Sequence, residues 1–194
     1  DDAALRDELA KLGIEMSGPL GFNNTYALAL TRQRAAALGV SRISDLRRFP
    51  EFKVAVTHEF LDRGDGWPAL LRRYDLPQSN VLGVDHDIAY RQLLSGEVDV
   101  IDVYTTDAKI GQSDLTILED DLAFFPRYDA VWLYRRELED NFPPFVEAMR
   151  QVEGTLPETA IQALNAEVEE GRMTASGAAA DFLGRELGVT VETK

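Results

Sequence analysis

Three tyrosines stand beside short polar clusters at the ends of apolar runs. Tyr26 follows Asn23-Asn24-Thr25 in "GFNNTYALAL". Tyr104 precedes Thr105-Thr106-Asp107, and Tyr128 follows Phe124-Phe125-Pro126-Arg127. A tyrosine ring carries negative charge density on its face, so several rings turned to one point can hold a cation that has no hydrogen bond to donate. Each tyrosine alone also reads as a core-boundary residue with a satisfied hydroxyl. Three at comparable strand ends, where α/β sheets bind ligands, favour a box with aromatic walls.

The spacings of catalysis are missing. His58-Glu59 resembles the start of a zinc-protease helix, but that motif needs a second histidine at position 62, which is Asp62. His86 is the only other histidine, and there is no cysteine for a thiolate site, a disulfide or a nucleophile. Glu119-Asp120-Asp121 lacks the spacing of a calcium loop and reads as a solvated turn. Gly64, Gly66 and Gly111 form no phosphate loop, and no serine sits in a nucleophile elbow. The expectation is a binding protein with no catalytic residue, no metal and no cofactor.

The chain has 194 residues, 45% of them hydrophobic and 28% charged, enough for a substantial α/β core. A net charge of −14 repels phosphate backbones and disfavours nucleic acid as a partner. No run approaches a membrane span, and "DDAALRDELAKLG" has no signal-peptide pattern; if the protein is exported, its targeting segment is not in this sequence.

Strands and helices alternate around the tyrosines. Strand patterns cover Tyr26–Leu30, 52–57, 98–104, 115–118 and 129–134. Helical patterns cover "RQRAAALG", "DGWPALLRRYDL" with Pro68 in its first turn, and "HDIAYRQLLSG", with Asp85 as N-cap and Gly96 as stop. Leu5, Leu9 and Leu12 give a short amphipathic helix closed by Gly13. Thr155-Leu156-Pro157-Glu158 resembles a capping box for a helix with Ile161, Leu164 and Val168 on its buried face. Such alternation means an α/β architecture with a mainly parallel sheet.

Four ordered stretches carry a resemblance: "PLGFNNTYALAL", "FLDRGDGWPALLRRYDL", "AYRQLLSGEVDVIDVYTTDAKI" and "LEDDLAFFPRYDAVWLYR". They resemble the substrate-binding proteins of ABC importers for glycine betaine, carnitine and choline. The resemblance implies a type II periplasmic binding fold, with two α/β lobes joined by two crossing strands. It implies a quaternary ammonium ligand in a tyrosine cage, with Tyr26, Tyr104 and Tyr128 as walls. Asn24 matches a place where the family puts a ligand for the substrate's other end. Thr106, in the "VYTTD" motif, joins that polar group. Arg63 matches an arginine that reaches a carboxylate and latches the lobes, and Glu59 a position that supports it. The alternative for Arg63 is a surface ion pair with Asp62 or Asp65.

The family's N-terminal "SKNFTEQ"-like and "YTGT"-like stretches are not found here. The resemblance therefore implies a remnant of lobe 1 over 1–23, a complete lobe 2 over 24–104, and a return to lobe 1 with C-terminal helices over 105–194. The implied partner is an ABC permease, the implied location extracytoplasmic, and any membrane contact through the permease or an anchor outside this chain. The alternative is a ligand-sensing regulatory module on the same fold.

Overall fold

The computed structural model describes residues 2–188. The chain forms two compact units, Asp1–Asn24 with Tyr128–Lys194, and Thr25–Arg127. The first holds α1 (Asp2–Lys11), the antiparallel pair β1 (Ile14–Met16) and β7 (Leu133–Arg135), and helices α7 (Glu137–Asn141), α8 (Pro143–Arg150), α9 (Glu158–Glu169) and α10 (Ala175–Leu187). The second holds β2 (Tyr26–Thr31), α2 (Arg32–Leu38), β3 (Val54–Thr57), α3 (His58–Asp62), α4 (Trp67–Tyr74), β4 (Val81–Val84), α5 (His86–Ser95), β5 (Val100–Tyr104), α6 (Ala108–Gln112) and β6 (Leu115–Ile117), with a 3-10 turn over Ile43–Arg48.

Five strands of the second unit line up in the order β4-β3-β5-β2-β6. β3 runs parallel to β4 and β5, whereas β2 runs antiparallel to β5 and β6. The sheet is therefore mixed rather than mainly parallel. Helices α3, α4 and α5 are crossovers between parallel strands, and β2 has no such connection to its neighbours. β6 pairs with β2, so this unit runs past Tyr104 to Arg127, whereas the sequence reading placed the return at residue 105.

Alternation along the strands builds two cores. Leu28, Leu30, Val54 and Val56 face Phe60, Trp67, Leu70 and Tyr74 on one side. Ala27, Ala29, Ala55, Ile101 and Val103 face Ala89, Tyr90 and Leu93 on the other. The larger side chains of β2 meet α3 and α4, and its alanines leave room for Tyr90 of α5. Gly66 enters α4 so closely under Phe60 that an added Cβ would lie 2.1 Å from the Phe60 carbonyl oxygen. Only glycine fits there.

Three local expectations are corrected. Leu5 and Leu12 are exposed and α1 buries no residue, so its leucines form no core face. Pro157, not Thr155, is the N-cap of α9. The Thr155 hydroxyl donates to the Val152 carbonyl at 2.9 Å, so the capping box is not made. The 129–134 pattern is a strand only from Leu133, with Asp129 in an isolated bridge to Asn23. Three-residue β1 is too short to show a period and was not foreseen.

Candidate functional site

Strand register brings two of the three tyrosines together. Tyr26 opens β2 and Tyr104 ends β5, and the two are directly opposite in the antiparallel pair. Their ring centroids are 4.7 Å apart and their hydroxyl oxygens 3.0 Å apart. Tyr26 also stacks on Phe60 at 4.7 Å, with Phe125 at 6.5 Å. Burial pushes both phenols above the ordinary tyrosine range, so both keep their protons at neutral pH. The pair offers aromatic surface and neutral hydroxyls.

The backbone around the pair is tied down. The Thr105 N–H donates to the Thr25 carbonyl at 3.0 Å, and the Thr25 N–H to the Thr105 hydroxyl at 3.2 Å. Asp107 Oδ2 accepts from the Tyr104 N–H, from the Tyr90 hydroxyl and, at the same 2.9 Å, contacts His86 Nε2. Thr106 is buried.

Glu59 and Arg63 sit one turn apart at α3. Arg63 Nη1 donates to Glu59 Oε1 at 3.2 Å, while its Nε and Nη2 grip both oxygens of Asp65 at 2.9 Å. The guanidinium holds the Asp65 carboxyl below its usual range, chiefly through this pair of hydrogen bonds. Asp65 and Glu59, not Asp62, are thus its ion-pair partners. The Glu59 charge adds to the upward push on both Tyr26 and Tyr104.

Asn24 and Tyr128 belong to the first unit. There the Asn24 N–H donates to the Tyr128 carbonyl at 3.0 Å, and the Tyr128 N–H to the Asn23 side-chain oxygen at 2.6 Å. The Tyr128 side chain is exposed. This first-unit cluster gives the Asn23 side chain its place in the polar run before Tyr26.

Sequence reasoning did not assign Phe60, Phe125, His86 or Asp107 to the site. Phe125 lies in the "FFPRY" motif and Asp107 in "VYTTD", so the motifs held the signal without a reason to single them out. The acidic turn is also corrected. Asp120 accepts from the Phe124 and Phe125 N–H groups at 2.9 and 2.8 Å and from the Tyr74 hydroxyl, and Asp121 accepts from the Ser44 N–H. These carboxylates fix the loop that carries Phe125 rather than facing solvent freely.

Residues 2–185 match the model of a family described as the substrate binding domain of ABC-type glycine betaine transport systems. The chain belongs to this family. Among its relatives, the glycine-betaine-binding protein of Pseudomonas aeruginosa is 33% identical over 183 residues, spanning 88% of this chain and 59% of that protein. The ergothioneine transport permease/ergothioneine binding protein of Helicobacter pylori is 31% identical over 169 residues, spanning 87% and 31%. The crystal structure of a glycine betaine/carnitine/choline ABC transporter matches with a TM-score of 0.87 at 26% identity, over 94% of this chain and 68% of that one. An ABC-transporter choline binding protein in complex with choline shares the fold alone, at TM-score 0.58 and 14% identity, over 98% and 72%. The chain thus spans 31–59% of these curated relatives' length. The fold is that of the type II periplasmic binding proteins, and the family is one of substrate-binding domains rather than of enzymes.

Proposed function

We propose that this chain binds a quaternary ammonium or betaine-type solute, such as choline, glycine betaine, carnitine or a larger trimethylated betaine, for delivery to an ABC permease outside the cytoplasm. The observation that carries the reading is the cross-strand pair Tyr26–Tyr104, protonated and packed at 4.7 Å, in a chain of this family. Tyr128 remains the third wall on its "FFPRY" motif alone. Arg63, Glu59, Asn24 and Thr106 are assigned to the ligand's polar end and to the latch. No catalytic residue, metal or cofactor is part of the proposal.

Methylated ammonium fits these walls because it cannot donate hydrogen bonds and loses little by leaving water for ring faces. Each ring contact contributes about 0.5–2 kcal/mol. Three would supply a fair share of the ~8 kcal/mol of micromolar binding, with polar contacts and desolvation adding the rest. The family match favours transport over the sensory alternative. Calorimetric titration with choline, glycine betaine, carnitine, ergothioneine and glycine tests the reading. Methylated ligands are expected to bind and glycine to bind far more weakly; glycine bound as tightly as glycine betaine would overturn it.

A further inference from the structure

Behind Tyr104, on the same unit, lies a charge that the cage does not require. The His86 ring centroid is 5.4 Å from that of Tyr104 and 5.3 Å, edge-on, from that of Tyr90. Its Nε2 meets Asp107 Oδ2 at 2.9 Å, and this same oxygen holds the Tyr104 backbone. Its Nδ1 is buried with no hydrogen-bond partner among the described residues. A histidine here has two states at ordinary pH. Protonated, it and Asp107 make a neutral pair; neutral, it leaves the Asp107 carboxylate uncompensated beside Tyr104.

We infer that the charge state of His86 sets the affinity of the Tyr26–Tyr104 pair for a cation, weakening it when protonated and strengthening it when neutral. This inference rests on the ligand reading above. Coulomb's law carries it: removing a positive charge from beside a cation's site lowers the bound cation's energy, and the low polarity around Tyr104 limits screening. On the separations of a neighbouring ring, the effect is about three- to tenfold in affinity once solvent screening is counted.

The groups facing His86 together decide where the switch falls. Asp107 at the entry to α6 favours the charged form most, and Asp102 of β5 adds to it. Burial and Lys109 of α6 oppose it, and the result lies above the ordinary histidine value. Asp87, on α5 beside His86, is paired with Lys109, which also lies 5.2 Å over the Tyr90 ring. The Tyr90 and Tyr104 rings complete the surroundings.

The experiment is a titration of the chain with choline by calorimetry across about pH 5.5 to 8.5, in parallel with His86→Gln. The parent's affinity should rise with pH about three- to tenfold more than the variant's, whose remaining slope reports Asp102, the other buried group that acts on the tyrosine pair. The difference between the two isolates His86 from His58, the other histidine. A second measurement needs no substitution: by linkage, saturating choline should lower the pH at which the His86 ring titrates, read from its NMR shift. Choline binding that is independent of pH in the parent, or a midpoint that rises or stays fixed with choline, overturns the inference and leaves the binding reading intact. Failure of choline and the betaines to bind at any pH overturns the binding reading, and this inference with it.

Discussion

Tyr104 is positioned to separate the work of a ring from that of a hydroxyl. Its hydroxyl is bonded to Tyr26 at 3.0 Å, whereas cation binding needs its face. Tyr104→Phe should cost choline binding no more than about 1 kcal/mol, the scale of one net hydrogen bond, and Tyr104→Ala about 1–2 kcal/mol or more. Equal losses in a titration would make the hydroxyl the contact. Arg63 poses a different question, because Asp65 and Glu59 already engage it. If it reads a ligand carboxylate, Arg63→Ala should weaken glycine betaine by about 1.5–3 kcal/mol, the scale of a charge-assisted hydrogen bond, and choline much less. Equal penalties would mean that it only shapes the end of α3. The tyrosines were visible in the sequence because type and flanking motif mark them. His86 was not, since nothing in the sequence announces that residues 86 and 107 meet.

Between strands, a buried carboxylate orients the helix that carries Glu59. Asp102 of β5 is almost fully buried and accepts from the Thr57 N–H at 2.8 Å and the Thr57 hydroxyl at 2.6 Å. Thr57 in turn caps α3 by accepting from the Phe60 N–H. Burial, the largest influence, raises the Asp102 carboxyl above its ordinary value despite those bonds. The folded state therefore binds this proton more tightly than the unfolded chain. Its contribution to stability is complete below the ordinary aspartate value and is lost as pH rises through the raised one. Asp102→Asn removes that loss, so the variant should gain stability relative to the parent as urea unfolding is moved from about pH 4 to 7. An unchanging difference would show that Asp102 titrates alike folded and unfolded. Nothing in the 98–104 strand pattern marks Asp102 as buried. Short apolar runs located β2, β3, β5 and β6 well, since the sheet of this unit has a core on each face. Strand direction is set by the connections and by long-range pairing, so the antiparallel course of β2 was not legible. The Thr155 box failed similarly: its residue types fit, but a nearby carbonyl captured the hydroxyl.

At the scale of the whole molecule, the units differ in how completely they cover their apolar residues. In the first unit Leu133, Phe142 and Phe145 are 57%, 61% and 56% exposed, and Trp132, Leu133, Phe145 and Met149 help line an apolar cavity of about 660 Å³. Such a surface favours association, so light scattering should show mass rising with concentration, and Leu133→Lys with Phe145→Ser should suppress it. The second unit buries both faces of its five-stranded sheet with helices from its own contiguous segment. That closure predicts independent folding of residues 25–127. A shorter piece ending at 104 would lose Asp107 beneath Tyr104, the β6 partner of β2, and the Asp120 loop that binds Tyr74. Leu30 and Thr31 would be left on an open strand edge, with Leu115 and Leu118 gone from the two cores. The longer piece should therefore unfold in one cooperative transition by circular dichroism, and the shorter should aggregate or melt broadly. Equal cooperativity in both would show that the crossover strands and helices between β2 and β5 are sufficient, and that the segment from 105 to 127 only decorates a finished unit.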